Sequence, residues 1–196
     1  MKTLLKNLVA CCIVTIISNG IHAQSNHPIY AHGDTELMPT ATIPGYTEAS
    51  QKLKISGTVY KNDGKTPAGD VIIFVYQTNE DGEFEVRGNN KYDRYIYHRT
   101  WIKTDENGKY TLYTFVPGTN YGSNEMKHIH TVIKQPNMPE YEIEGFLFED
   151  DPYLTKYCRK RLKKAGANNI LKPTKQDDIL VANRDIVLND SQMAIR

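Results

Sequence analysis

The stretch LKISGTVY, residues 53–60, sets the expected fold. Every second residue from 53 to 59 is apolar or glycine, and a period of two places these residues on one face of a half-buried strand. Residues 71–76, VIIFVY, form a continuous apolar run, which is typical of a central strand that is buried on both faces. The sequence therefore predicts a sheet whose middle strand is covered on each side.

Further short strands are expected along the chain, with turn signals such as Asn62-Asp63-Gly64 between them. They cover residues 95–103, 110–114, 128–134, 144–149 and 186–188. Many short strands at such spacing favour an all-β fold, an Ig-like or transthyretin-like β-sandwich of short antiparallel strands.

One short helix is expected after the sheet motifs. Asp151 is placed to cap its start, and Leu154, Cys158 and Leu162 recur every four residues, so they would share one face. Gly166 is suited to end the helix. On this face Cys158 is expected to be a small buried hydrophobe rather than a nucleophile.

The N-terminal residues 1–23 resemble a secretory signal, with an early positive charge, an apolar stretch and a cleavage site after Ala23. The apolar stretch is too short to predict a stable membrane span. A lipoprotein signal is disfavoured because Cys11 precedes most of the apolar stretch. We therefore expect a secreted or periplasmic protein.

The mature chain divides into an extended arm over residues 24–51, a β-sandwich domain over 52–190 and a tail over 191–196. Cys158 is the single cysteine left after cleavage, so no internal disulfide is expected. A net charge of +1 argues against a nucleic-acid partner, because phosphates attract an excess of basic residues. The arm could exchange between subunits, which leaves an oligomer open.

His128-Ile129-His130 is the sharpest candidate for a functional motif. Residues i and i+2 of a strand point to the same face, so both imidazoles could reach one metal ion. Tyr121 lies seven residues earlier, after a loop, and a phenolate beside imidazoles suits Fe(III). The alternatives are two histidines on an exposed sheet face and an ordinary half-buried loop tyrosine.

The order of several motifs resembles the intradiol ring-cleavage dioxygenase family, which includes catechol and protocatechuate dioxygenases, and most closely its secreted single-domain branch. The resemblance extends roughly over residues 55–188. Its motifs lie at residues 57–60, 63–68, 75–79, 81–82, 99, 101–105, 108–110, 114, 117, 128–130 and 148–152.

This resemblance implies a β-sandwich that holds a non-haem Fe(III) with two tyrosines and two histidines. It also implies an oxidoreductase that opens the ring of a small aromatic diol, a catechol, with O₂. His128 and His130 match the family's histidine pair. Tyr121 matches the second tyrosine after a one-residue shift in the loop, and such a tyrosinate acts both as a metal ligand and as a catalytic base.

The sequence departs from the family at two positions. Phe84 stands where the first tyrosine ligand is expected, and a phenyl ring cannot bind iron. Glu125 stands where catabolic members often have an arginine near the substrate, which leaves Arg99 and Lys127 as weak candidates for substrate binding. The residues that could replace the missing ligand are Tyr92, Tyr95, Tyr97 and His98.

These observations predict a divergent Fe(III) intradiol dioxygenase that cleaves a catechol-type ring. The alternative is a catalytically inactive secreted β-sandwich, a binding or structural module that has lost part of the iron site; Phe84 and Asn120 favour it. A cupin-type metalloprotein also uses a His-x-His strand, but residues 131–135 lack the glutamate that would follow the pair.

Overall fold

A computed structural model describes residues 27–122, 124–164 and 169–189. The predicted signal peptide, the tail over 191–196 and the proposed helix stop at Gly166 lie outside these residues. The domain boundaries drawn from the sequence stay predictions.

Strands make up most of the regular structure of the described chain. They are β1 (Thr40–Thr42), β2 (Lys52–Tyr60), β3 (Ile72–Gln77), β4 (Val86–Arg87), β5 (Tyr95–Ile96), β6 (Arg99–Lys103), β7 (Lys109–Phe115), β8 (His128–Lys134), β9 (Tyr141–Phe148), β10 (Ile170–Leu171), β11 (Thr174–Gln176), β12 (Ile179–Asn183) and β13 (Ile186–Val187). The helix α1 (Lys156–Lys164) follows β9, and a short 3₁₀ turn (Pro28–Tyr30) precedes β1.

The strands form two main sheets and one small ribbon. The first sheet has the order β1-β7-β2-β12-β11, with β13 also paired to β2. The second has the order β10-β9-β8-β3-β6, and β4 pairs with β5 in the two-stranded ribbon. This confirms the predicted all-β sandwich with one short helix. Not every pair is antiparallel, however, since β1–β7, β2–β12, β2–β13 and β9–β10 are parallel.

The main core lies between the two large sheets. Ile55 of β2 and Leu112 of β7 belong to the same buried cluster as Ile73 of β3 and Ile129 of β8. All four side chains are fully buried. Burial of this apolar area is the main favourable term in the free energy of folding.

The central strand β3 is covered on both faces, as its apolar run predicts. Ile73 and Val75 face the main core, whereas Phe74 packs with Ile29 and Val132 in a second cluster on the outer face. Ile29 comes from the N-terminal arm, so the arm forms the outer cover of β3.

Hydrogen bonds hold the described part of the arm to both sheets. The Trp101 indole donates to the Pro28 carbonyl at 3.2 Å, and the Tyr30 hydroxyl donates to Glu140 at 2.7 Å. Farther along, β1 pairs in parallel with β7 at the edge of the first sheet. The arm therefore wraps the sandwich.

Three local predictions from the sequence are wrong. Residues 95–103 do not form one strand, because β5 pairs with β4 in the ribbon and β6 pairs with β3 in the sheet. Asp151 does not cap the helix, which begins at Lys156 after Thr155. The Thr155 hydroxyl instead accepts a hydrogen bond from the Cys158 backbone N–H at 3.2 Å. Cys158 is half-buried rather than buried.

Membrane crossing by a helix finds no support in the described residues, since none of their helices is both long and apolar enough.

Gly57 lies where β2 changes partner from β12 to β13. The chain passes close to it at this point, and a Cβ on residue 57 would lie 1.9 Å from the Arg184 carbonyl oxygen. Two hydrogen bonds hold the segment of Arg184 and Asp185 against β2 and β7. The Tyr110 hydroxyl donates to the same carbonyl at 2.6 Å, and Asp185 accepts from the Thr58 N–H at 2.8 Å. The glycine is therefore required by the close approach of two backbones.

Gly57→Ala should destabilise the fold by about 1–3 kcal/mol or more, because the clash involves backbone and forces the strands apart. Urea unfolding measures this change. Gly122→Ala is the matched control, because its Cβ would approach only the Asn120 side-chain oxygen, at 3.3 Å. Equal stability of the two variants would contradict the described packing at Gly57.

Candidate metal centre

The two histidines of the His-x-His motif lie side by side on the outer face of the second sheet. Their ring centroids are 3.9 Å apart, and the rings are inclined by 60°. Ile129 between them points into the main core. The period of two in β8 thus brings both imidazoles to one place, as the sequence predicts.

His128 has one ring nitrogen fixed by the backbone. Its Nδ1 lies 2.7 Å from the Met126 carbonyl oxygen. Since a carbonyl can only accept, Nδ1 carries a proton, and in the neutral form of the ring the lone pair is on Nε2. A metal-binding histidine commonly has its other nitrogen held in this way.

His130 is packed between aromatic rings. Tyr76, its partner in β3, stacks on it with parallel rings and a centroid distance of 4.4 Å. Burial, with a smaller contribution from the His128 charge, lowers the pKa of His130 to about 4. The imidazole is therefore neutral at pH 7 and has a lone pair to offer.

A bulge in β9 lies next to the histidine pair. The β8–β9 register shifts between Ile129 and Thr131, where β9 has an additional residue. A Cβ on Gly145 would lie 2.8 Å from the Ile129 carbonyl and 3.5 Å from the His128 ring, so glycine allows the close approach. Bulges are frequent beside functional sites because they redirect side chains.

Phe84 occupies the space beside His130 where the resemblance expects a tyrosine ligand. Its ring centroid is 5.8 Å from that of His130. The turn before it depends on Gly82, which has φ +82° and whose Cβ would meet the Thr119 backbone at 2.8 Å. Since the Gly118 N–H also donates to the Asn79 carbonyl at 2.9 Å, the turn and the following loop pack on each other.

Tyr121 is not brought to the imidazoles. It lies on the loop after Asn120 with 70% of its surface exposed, and its ring is 6.0 Å from that of Tyr153. Within the described chain, the ring contacts of the two histidines are with each other, with Tyr76 and with Phe84. The ligand role of Tyr121 stays a prediction that requires a movement of this loop.

The candidate replacements for the missing ligand have other partners. Tyr95 and Tyr97 lie under the guanidinium groups of Arg99 and Arg87, at 4.3 and 3.1 Å from the ring centroids. His98 is buried beneath the arm, with Nδ1 2.9 Å from the Pro44 carbonyl. Tyr92 is 86% exposed. None of the four has a ring contact with His128 or His130 in the part of the chain that the structure describes.

The two candidates for substrate binding differ. Lys127 is unsuited, because its side chain is only 12% exposed and its ammonium pairs with Asp150 at 2.8 Å. Arg99 lines a cavity of about 340 Å³ beside Tyr76. Its guanidinium lies over the rings of Tyr95 and Trp101.

Asp151 and Tyr76 are the site residues that sequence reasoning missed. The buried Asp151 carboxylate accepts from the Thr119 hydroxyl at 3.0 Å and from the Lys127 N–H at 2.8 Å. It thus ties the start of the Tyr121 loop to the segment that enters β8. Tyr76 is visible in the sequence as the last residue of the apolar run 71–76. Its pairing with His130 in the sheet could not be inferred from that run.

The donor atoms fit a metal ion only in part. Two imidazoles whose ring centroids are 3.9 Å apart suit iron, copper or zinc. The set of two tyrosinates and two histidines is not met, because Phe84 fills one position and Tyr121 is turned outward. Within the described chain no group of three or more His, Cys, Asp or Glu side chains could hold a metal.

In the metal-free protein we expect the His130 ring proton resonances to titrate with a midpoint near pH 4, against 6.5 in the unfolded chain. Between pH 6.5 and pH 4 the proton binds to the unfolded chain but not to the folded protein. The free energy of unfolding should therefore decrease as the pH falls from 6.5 to 4. NMR titration measures the midpoint. Tyr76→Leu should raise it by exposing the ring, and Tyr113→Leu, on the other sheet, should not. A wild-type midpoint at 6.5 would contradict the described burial.

No protein-family model matches the sequence, and no curated protein is detectably similar to it. Solved structures do match. The dioxygenase domain of a dioxygenase–carbohydrate-binding protein fusion from a cellulolytic Streptomyces sp. superposes with a TM-score of 0.59 at 20% identity, covering 80% of this chain and 92% of that one. An intradiol ring-cleavage dioxygenase from Tetranychus urticae has a TM-score of 0.58 at 18% identity, with 80% and 89% covered.

Catechol 1,2-dioxygenase from Acinetobacter sp. also has a TM-score of 0.58, at 18% identity and with 80% of this chain covered. The present chain spans 59% of that longer enzyme. At these identities the likeness concerns the arrangement of the backbone. The described chain therefore has the fold of the intradiol dioxygenases.

Proposed function

We propose that this protein is an oxidoreductase of the intradiol dioxygenase type, which uses O₂ to open the ring of a catechol-type diol. The observation that carries the proposal is the pair of adjacent imidazoles, His128 and His130, on the outer sheet face of an intradiol dioxygenase fold. Two such ligands at alternate positions of one strand form a rigid platform for a metal ion.

The proposed cofactor is a non-haem Fe(III) bound through Nε2 of His128 and a ring nitrogen of His130. Tyr121 is proposed as the third protein ligand and as the base that accepts a substrate proton. This role requires the loop to turn inward, and the exposure of Tyr121 and the neighbouring Gly122 support such freedom. The chemistry that a bound ferric ion supplies is Lewis-acid binding of a diol.

The chain's own residues shape the surroundings of this proposed site. Tyr76 and Phe84 exclude water from one side of His130. Arg99 is the remaining candidate to face an aromatic ligand, whereas the ion pair with Asp150 removes Lys127 from that role. A flat apolar surface next to the histidines suits a planar ring.

A second candidate function is a binding module without catalytic activity. Phe84 favours it, because a phenyl ring packed on His130 replaces a ligand with an apolar contact. Such a module would retain the sandwich and the aromatic surface but would not need a metal. Iron content separates the two candidates.

We expect the mature protein, produced from Gln24 and reconstituted with iron, to bind stoichiometric iron and to have a visible tyrosinate-to-iron band. Tyr121→Phe should abolish the band and the O₂ uptake with catechol, while Tyr157→Phe, an equally exposed tyrosine, should change neither. His128→Ala and His130→Ala should weaken iron binding by more than about 10–100-fold, the range seen for residues that merely support a ligand.

Phe84→Tyr supplies the complementary test, because it places a phenol beside His130 and should strengthen the band. Metal analysis, absorption spectra and O₂ consumption measure these effects together. Iron without a visible band would contradict the role of Tyr121. Neither iron nor colour in wild type would overturn the dioxygenase proposal and favour the binding module.

A further inference from the structure

A cavity of about 340 Å³ lies on the outer face of the second sheet, next to the histidine pair but separated from it by Tyr76. Phe74, Tyr76 and Val132 form its floor. The β4–β5 ribbon covers it with Val86, Tyr95 and Ile96. The volume is within the range of about 300–1,000 Å³ that small-molecule sites occupy.

The register of the sheet explains this position. Tyr76 of β3 is paired with His130 of β8 on one side and with Arg99 of β6 on the other. Directly opposite residues in an antiparallel pair point to the same face. One row across the sheet therefore carries an imidazole, a phenol and a guanidinium, and the phenol and the guanidinium both line the cavity.

Arg99 is a cation without an acidic partner in the described chain. It is half-buried, and its guanidinium is 4.3 Å from the Tyr95 ring centroid and 5.1 Å from that of Trp101. Burial lowers its pKa, which shows that the charge is partly removed from water. Arg94 adds a second cation to the lining, also without a described ion pair.

The acid in the lining does not neutralise these cations. Glu142 is exposed and lies on β9. Two strands, β8 and β3, separate β9 from β6, so the strands that carry Glu142 and Arg99 are about 14 Å apart. Glu142 contributes to the raised pKa of Tyr76, after burial of that phenol, which places its charge at the Tyr76 end. The cavity is therefore polarised, with positive charge at the β6 end.

The ribbon over the cavity exposes several large apolar side chains. Val86 and Tyr95, which line it, are 44% and 37% exposed. The apolar ring faces in the cavity can make an apolar contact with a ligand, and the guanidinium beside them can bind an anion. One occupant satisfies both: an aromatic ring that carries a carboxylate.

We propose that this cavity is a binding site for a planar aromatic carboxylate, with the ring against Tyr76 and Tyr95 and the carboxylate on Arg99. Arg99 offers the planar pair of N–H donors that a carboxylate accepts in bidentate fashion. The site requires no metal, so it goes beyond the proposed function and can be tested without it.

The test uses the mature protein stripped of metal and titrated with benzoate, followed by calorimetry and by fluorescence. Trp101 is the single tryptophan of the chain, and its contact with Arg99 makes it a reporter of the site. Saturable binding of benzoate is expected. Benzamide has nearly the same shape without the charge, so it should bind about tenfold more weakly or worse.

Arg99→Gln should weaken benzoate binding by about tenfold or more, and Arg99→Lys should lose less because it keeps the charge. Arg87→Gln is the matched control, since Arg87 also lies over a tyrosine but pairs with Glu85 and does not line the cavity. Near-ultraviolet circular dichroism verifies that each variant is folded.

Equal affinity for benzoate and benzamide would overturn the role of the carboxylate and indicate an apolar site. Unchanged binding in Arg99→Gln, or no saturable binding by either method, would overturn the site itself. Benzoate binding in a protein that takes up no iron would retain this site while the dioxygenase proposal fails.

Discussion

The burial of β3 on both faces is the constraint on which the other features depend. Its inner face, with Ile73 and Val75, joins the two sheets into one core. Its outer face, with Phe74 and Tyr76, requires a second cover, which the N-terminal arm supplies. Since antiparallel pairing fixes which residues stand beside Tyr76, the same strand sets the position of His130 and the cavity around it.

The candidate metal centre combines the expected pair of imidazoles with an altered donor set. The imidazoles are prepared for a metal, because the Met126 carbonyl fixes His128 and burial keeps His130 neutral. The neighbouring position is apolar, because Phe84 packs against His130. Such a site can hold a metal with open coordination positions, or it can persist as an aromatic surface.

The sequence predicted those features that follow from a local period. Alternation located β2, and the spacing of His128 and His130 placed both on one face. Predictions failed where distant contacts decide the outcome. Asp151 follows the local pattern of a helix cap, yet its carboxylate binds the Thr119 hydroxyl and the Lys127 N–H across the fold. The short apolar strand β12 and its parallel pairing with β2 were missed, because parallel partners leave no turn signal between them.

We propose that His128 and His130 together bind one iron ion. Anomalous diffraction at the iron edge, on crystals grown with iron, tests it directly by locating the metal without reference to activity. We expect one strong peak within ligand distance of a nitrogen on each imidazole, by analogy with the about 2.0–2.1 Å of zinc-bound histidine. A peak elsewhere on the molecule, or none in crystals of iron-saturated protein, would contradict it.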